Sequence, residues 1–200
     1  MKVNKFVDKE SWLLARRGKI TGSKLGDILA KKNGDKKIGF YELVAERLAT
    51  EPDGEYPMER GLRLESEALE RFAKESKKKV VNDLVIWSRE DNDSIAISPD
   101  GVIGKTEAVE VKCLSSAKHI QAWLIQEIPD DYEWQVLQYF IVNDSLKTLH
   151  FVFYDPRIPA KDFFVIEVSR KGVEEKIEEY LEYQKKTLME IDHIVNSLTF

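Results

Sequence analysis

Hydrophobic residues in the first part of the chain recur at the three- and four-residue spacing of amphipathic helices. The first helix is predicted to follow Ser11, a residue type that favours the N-cap position, and to end at Gly18. Polar stretches rich in Lys, Gly, Pro and Asp predict loops between the later helices. The helices predicted in this half cover residues 12–17, 21–29, 40–48 and 58–74.

In the second half, short apolar runs predict strands, with two helical segments between the third and the fourth of the main runs. The strands are predicted at residues 80–87, 94–97, 108–114, 148–154 and 163–168, and the helices at 116–126, 131–142 and 173–198. Helices around a cluster of strands indicate an α/β or α+β fold with a central mixed β-sheet. The 200 residues are expected to form one domain over residues 1–200.

Composition and charge exclude two classes of protein, disordered chains and proteins with a uniformly basic surface. A hydrophobic share of 42% supplies a core and excludes wholesale disorder, and the net charge of −5 excludes a uniformly basic coat. Residues 1–50 hold 12 Lys and Arg against 6 Asp and Glu, a charge of +6, so the rest of the chain carries −11. A basic surface of this kind suits phosphate groups, although a solvated surface explains it equally well.

Cysteine and histidine are scarce, which limits the possible sites. Cys113 is the single cysteine, so the sequence forms no internal disulfide, and three scattered histidines do not favour a structural zinc site. The polar N-terminus does not resemble a signal peptide, and no apolar run has the length of a membrane span. We expect a cytoplasmic protein without membrane contact, in which carboxylates hold any metal ion.

The segment that carries chemistry combines a tight turn with a strand. The turn at residues 98–101 contains Asp100, and the strand after it contains Glu110 and Lys112. Alternate residues of a strand share a face, so Glu110 and Lys112 project together while Val111 points into the core. The preceding strand can bring Asp100 beside them, and we expect the three groups to meet at an edge of the sheet. Two carboxylates, with the Val111 carbonyl, are suited to hold Mg²⁺, and Lys112 is suited to orient or deprotonate a water. A surface salt bridge is the alternative.

This pattern resembles the PD-(D/E)xK nuclease superfamily, and residues over nearly the whole chain are similar to the phage lambda exonuclease family, also called YqaJ-type viral recombinases. The similarity consists of Trp12, Arg16, Gly18, Ile20, Thr21 and Ser23, Gly61 with Glu65, and the segments 98–101, 110–113, 135–139 and 154–157. The resemblance implies a restriction-endonuclease-like core, in which a central mixed β-sheet is flanked by helices.

The resemblance also implies a function. Members of the family are Mg²⁺-dependent 5′-to-3′ exonucleases that bind double-stranded DNA ends with a 5′-phosphate and leave 3′ single-stranded overhangs for phage-type homologous recombination. It further implies two metal ions, with Mn²⁺ as a possible substitute for Mg²⁺, a ring-shaped homotrimer and a single-strand annealing protein as partner. A site-specific or structure-specific endonuclease, a catalytically inactive DNA-binding module and a metal hydrolase acting on other substrates are the alternatives.

Further site residues follow from the same resemblance. Asp100, Glu110 and the Val111 carbonyl correspond to metal ligands, Lys112 to the catalytic lysine and Glu65 to a glutamate that assists the second metal. The 5′-phosphate pocket corresponds to Arg16, Ser23, Ser98 and Gln135, and the strand-separating wedge to Met58. Gln138 is the rival of Gln135, Thr21 or Ser23 is alternatively a helix N-cap, and Met58 is alternatively a core residue.

Overall fold

The chain is described from a computed structural model, which covers residues 1–29, 37, 39–40, 43, 46, 59–114 and 116–198. Its strands form two sheets. The small sheet is antiparallel and contains β1 (Lys2–Lys5), β2 (Val85–Ser88) and β3 (Ala96–Ile97). The larger sheet has the order β4 (Gly101–Ile103), β5 (Glu107–Lys112), β6 (Thr148–Tyr154) and β7 (Phe163–Ser169).

The larger sheet is mixed, as predicted. Strands β5 and β6 are parallel, whereas β4 and β7 are antiparallel to their neighbours. Parallel neighbours require a long connection, which here contains two helices and one 3₁₀ turn (Asp130–Tyr132). The helices are α1 (Lys9–Arg16), α2 (Gly22–Ile28), α3 (Glu59–Ser76), α4 (Ser116–Ile125), α5 (Glu133–Val142) and α6 (Glu174–Leu198).

Both faces of the larger sheet are covered. Phe72 of α3 belongs to a small apolar cluster with Val109 and Val111, which point to one face of β5. Ala108 belongs to the main core, which includes residues of α2, α5 and α6. The predicted α/β architecture with flanking helices is therefore confirmed, and the face of β5 that carries Glu110 lies under α5.

Two local predictions were wrong in detail. Asp8, and not Ser11, caps α1: its carboxylate accepts the Ser11 N–H at 2.7 Å, so the helix begins at Lys9. The strand predicted at 80–87 is shorter, because its first part makes only an isolated bridge between Val81 and Val102. That bridge, and another between Ile20 and Ile95, lie outside the named strands of the two sheets.

Within the part of the chain that is described, no helix combines the length and the apolar character needed to cross a membrane. The helix predicted at 40–48 and the loop predicted at 31–37 lie largely outside the described residues, and Met58 lies outside them entirely.

Candidate active site

The predicted acidic residues and lysine meet where β4 begins and β5 ends. Gly101 pairs with Val109, which places Asp100 beside the second half of β5. One carboxylate oxygen of Asp100 accepts the Val111 N–H at 2.7 Å, and Glu110 Oε1 accepts a hydrogen bond from Lys112 Nζ at 2.6 Å. Because β5 lies between β4 and β6, this cluster sits inside the sheet and not at the sheet edge that we expected.

Glu110 is the most enclosed member of the cluster, with 2% of its surface exposed. Besides Lys112, its Oε1 accepts a hydrogen bond from the Gln135 amide, and its Oε2 accepts one from the Tyr139 hydroxyl at 2.5 Å. An ionised carboxylate has about four acceptor positions. These three donors therefore leave room for one further ligand on Oε2, which suits a metal ion.

The electrostatics of the cluster reflect crowded negative charge. Burial raises the pKa of Asp100 well above its usual value, and the charges of Glu110 and Glu65 raise it further, against the opposing effects of Lys112 and the Val111 N–H. Burial likewise raises the pKa of Glu65, with an additional contribution from Glu110. Glu65 on α3 therefore lies within electrostatic range of the predicted trio, a position compatible with the role that the resemblance implies.

Lys112 supplies the compensating charge. Its burial acts to lower the pKa of the ammonium group, but the attraction of Glu110 and Asp100 outweighs burial, and the pKa is raised. The ring of Tyr132 lies 4.9 Å from the ammonium nitrogen. Lys112 is therefore a cation at neutral pH in the metal-free chain, which favours the role of orienting a water over that of removing its proton.

The donor set fits a hard divalent cation. Within the described residues, no three side chains of the types His, Cys, Asp and Glu form a preformed metal cluster. Two carboxylates completed by carbonyl and water oxygens are instead the coordination that Mg²⁺ prefers. Burial first, and then the charges of Glu110 and Glu65, raise the pKa of Asp100, and a bound cation would oppose both effects. Val111 remains a predicted ligand.

Gln135 and Gln138 are clearly separated by their contacts. Gln135 donates to Glu110, so it belongs to the cluster. Gln138 is fully buried, donates to the carbonyl of Ile20 at 3.0 Å, and exchanges two hydrogen bonds with Gln184 of α6. Gln138 thus connects α6 to the core, and the rival assignment is not supported by its position. Gly22 permits close packing here, since a Cβ at this residue would lie 2.9 Å from Gln135 Cγ.

Replacing Gln138 with Leu should therefore mainly lower stability, whereas replacing Gln135 with Leu should mainly lower turnover. Gln138→Leu leaves the buried Gln184 amide without its two hydrogen bonds and removes a donor from the Ile20 and Ala96 carbonyls, so we expect the free energy of unfolding to fall by about 3 kcal/mol. Its turnover should remain within about twofold of wild type at temperatures where it is folded. Gln135→Leu should lower turnover with a smaller loss of stability. Denaturant titration and DNA degradation rates measure both; equal profiles for the two variants would contradict the distinction.

Apart from the acidic cluster, a basic cavity of about 380 Å³ lies beside α1 and α2. Arg16 and exposed Ser23, two of the predicted phosphate ligands, both line it. Lys24 also lines it, with an ion pair of 2.5 Å to Glu46, which in turn accepts the Gly18 N–H at 2.8 Å. The two remaining ligands are placed differently: Ser98 and Gln135 are not among the described residues that line this cavity.

Other sequence expectations about this region have clear outcomes. Thr21 occupies the N-cap position of α2 but makes no capping hydrogen bond with its side chain, and its hydroxyl oxygen lies 3.3 Å from that of Ser23. The buried hydroxyl of Ser98 has no hydrogen-bond partner among the described residues, so it can form a hydrogen bond with a bound ligand. The Cys113 thiol is partly buried, and burial raises its pKa to about 11, as suits an unreactive residue.

Three contributions were missed by sequence reasoning. The first is the hydrogen bond from Tyr139 to Glu110, for which the available signal is that Tyr139 follows Gln135 by four residues and so shares its helix face. The second is Lys9, which lines the basic cavity and whose position three residues before Trp12 was not recognised as significant. The Arg157 guanidinium binds both oxygens of buried Asp155 and also donates to the Leu114 carbonyl at 3.0 Å, which fastens the segment that follows β5.

Comparison with known proteins identifies the family. The model of the YqaJ-like viral recombinase domain matches residues 11–145. The alkaline exonuclease LHK-Exo from Laribacter hongkongensis is similar in structure, with a TM-score of 0.80 and 25% identity over 95% of this chain and 98% of that chain. LHK-Exo in complex with dAMP gives a TM-score of 0.79 and 26% identity over the same shares. No curated protein matches the sequence significantly. Since the family model spans more than half of the 200 residues, this chain belongs to the YqaJ-like viral recombinase domain family.

Proposed function

We propose that this protein is a Mg²⁺-dependent exonuclease that degrades one strand of double-stranded DNA from its 5′ end and leaves a 3′ single strand for recombination. Membership of the family and the structural likeness to an alkaline exonuclease support a DNA nuclease. The single observation that carries the proposal is the cluster of Asp100, Glu110 and Lys112 at one end of β5.

The proposed chemistry is hydrolysis of a phosphodiester by water. Asp100, Glu110 and the Val111 carbonyl would hold the metal, with Glu65 assisting at a second one. Bound Mg²⁺ supplies a water of lowered pKa and neutralises charge on the phosphate. Lys112 holds the attacking water and offsets the developing negative charge. Gln135 and Tyr139 fix the orientation of the Glu110 carboxylate through their hydrogen bonds.

The basic cavity is the proposed binding site for a terminal 5′-phosphate. The Arg16 guanidinium matches the geometry of phosphate oxygens, and the neighbouring Ser23 hydroxyl offers a further donor. The structure of LHK-Exo with dAMP is of interest because dAMP is the kind of product that an exonuclease releases. A site for the strand end beside the catalytic cluster would favour successive removal of nucleotides from that end.

The wider setting is proposed from the family. A ring-shaped homotrimer would enclose DNA, and a single-strand annealing protein would take up the exposed 3′ strand. The single cysteine suits a reducing cytoplasm. Size-exclusion chromatography with light scattering tests the trimer, and a monomer at micromolar concentration would contradict it.

The deciding experiment compares DNA ends. We expect Mg²⁺-dependent release of nucleotides from a linear duplex with 5′-phosphates, slower release from the same duplex with 5′-hydroxyls, and no cleavage of a closed circle. Arg16→Ala should reduce the rate on phosphorylated ends by about 10- to 100-fold, because it removes a charged bidentate contact, and should abolish the preference for phosphate.

Lys5→Gln is the matched control, because Lys5 forms an exposed ion pair with Asp83 and lies on β1, outside the basic cavity. Cleavage of the closed circle would instead support the endonuclease alternative, and equal rates on both kinds of end would refute the phosphate site.

A further inference from the structure

One face of α1 brings two cations to a single indole ring. Lys9, Trp12 and Arg16 follow one another at spacings of three and four residues, so they share a helix face. The Lys9 ammonium nitrogen lies 4.5 Å from the Trp12 ring centroid, and the Arg16 guanidinium carbon lies 4.4 Å from it. The indole N–H donates to the Val85 carbonyl at 3.2 Å, which fixes the ring against the small sheet.

Lys9 also lies within range of the catalytic carboxylates. The pKa of its ammonium group is lowered, mainly by partial burial and also by the charge of Arg16, while the charges of Glu65 and Asp100 act in the opposite direction. Lys9 thus lines the basic cavity on one side and is attracted by the acidic cluster on the other. This arrangement places it between the two parts of the site.

The ammonium group of Lys9 is available for a ligand. It forms no ion pair with any described residue, in contrast to Lys24, which is bound to Glu46, and to Lys112, which is bound to Glu110. Two cations that share one aromatic ring repel each other, and an anion bound beside them removes this repulsion. The Arg16 side already has a proposed ligand, the terminal phosphate, so Lys9 suits the next phosphate along the same strand.

We propose that Lys9 binds the first internucleotide phosphate of the DNA strand, the group that is to be cleaved, while Arg16 binds the terminal phosphate. Lys9 would then set the distance between the strand end and the point of cleavage, with Trp12 as a positioning residue for both cations. This assignment rests on the proposed function, and it adds a ligand for the scissile phosphate.

The test measures binding of a 5′-phosphorylated duplex without divalent cations, at several salt concentrations. Lys9→Gln should weaken binding about tenfold, as expected for one charge-assisted contact. It should also reduce the slope of log affinity against log salt by about 0.9, the value for one lost phosphate contact. Lys9→Arg should restore both quantities. Lys5→Gln, which removes the same charge from an exposed ion pair with Asp83 outside the cavity lining, should leave the slope unchanged.

A modified DNA locates the contact. A methylphosphonate at the first internucleotide position removes the charge of that phosphate alone, so wild type should lose affinity while Lys9→Gln loses none. With a 5′-hydroxyl end, Lys9→Gln should remain weaker than wild type, whereas Arg16→Ala should not. A deficit of Lys9→Gln that persists at full size on the methylphosphonate duplex, or a salt slope equal to that of Lys5→Gln, would overturn the assignment.

The same set of proteins separates this proposal from the proposed function. Failure of wild type to release nucleotides with Mg²⁺ would remove the exonuclease function, yet the methylphosphonate comparison would still decide whether Lys9 contacts that phosphate. If wild type degrades DNA while Lys9→Gln matches it in binding and turnover, only the Lys9 assignment falls.

Discussion

Asp100→Asn is expected to abolish DNA cleavage and, at the same time, to stabilise the metal-free protein. The substitution removes one of two proposed metal-binding carboxylates, so cleavage should fall by at least about 1000-fold, which corresponds to roughly 4 kcal/mol in the activation barrier. An amide oxygen can still accept the Val111 N–H that Asp100 binds at 2.7 Å. The fold should therefore be retained.

The gain in stability follows from the direction of the pKa shift. The folded state raises the pKa of Asp100, so it binds the proton more tightly than the unfolded chain does. Ionising Asp100 therefore costs stability as the pH rises from the unfolded pKa, near 3.8, through the raised pKa of the folded state. Above that interval the penalty is complete, and Asp100→Asn removes it.

Denaturant unfolding at several pH values measures this effect. At neutral pH we expect the free energy of unfolding to rise by about 0.5–2 kcal/mol, the range common for stabilising substitutions. The difference from wild type should disappear below pH 3.8, where Asp100 is protonated in both the folded and the unfolded state and is therefore uncharged like the Asn of the variant. A variant that is less stable than wild type at neutral pH, in the absence of metal, would contradict the electrostatic account.

Lys112→Met should also abolish activity but with the opposite effect on stability. The side chain of Lys112 is 18% exposed and that of Glu110 is 3% exposed, so the substitution leaves buried carboxylates without their cation. Breaking such a pair costs about 3 kcal/mol. The cleavage rate should fall by about 100- to 1000-fold, as is typical when one donor to a developing negative charge is removed.

A double variant links the two results. Without Lys112, Asp100 loses an attraction that partly offsets its repulsion by Glu110 and Glu65. Asp100→Asn should therefore stabilise the Lys112→Met protein by more than it stabilises wild type, and thermal unfolding of all four proteins measures this coupling. Purely additive changes would mean that the two side chains do not share one electrostatic cluster. The double variant also provides a folded, inactive control if Lys112→Met alone is too unstable to study.

Several boundaries could not be predicted, and each has a local or tertiary cause. The N-cap was assigned to Ser11 because it precedes an apolar run, whereas Asp8 caps the helix three residues earlier. The strand predicted at 80–87 begins late, since only Val85–Ser88 pairs with β1, and its last two residues also pair with β3. Strands β6 and β7 were predicted almost to the residue because their apolar runs are long and lie between clear turns.

The candidate site was predictable in its acidic residues and lysine but not in its surroundings. A turn with Asp100 followed by Glu110 and Lys112 on one strand face determined the trio, since strand geometry alone fixes which side chains project together. The contacts of Gln135 and Tyr139 with Glu110 join elements that are far apart in sequence. Helix spacing indicates that these two side chains share a face but not which residue they contact.

By itself, the sequence determined the helix and strand content, the mixed sheet, and the residue types proposed to hold metal and phosphate, because these depend on local periodicity and on short motifs. The tertiary structure decided which of two nearby glutamines reaches Glu110, that the cluster lies inside the sheet, and that the face of α1 with Lys9 and Arg16 lies near the acidic cluster. These outcomes depend on the packing of α1 and α5 against separate strands, and the energy of that packing comes from contacts between residues distant along the chain.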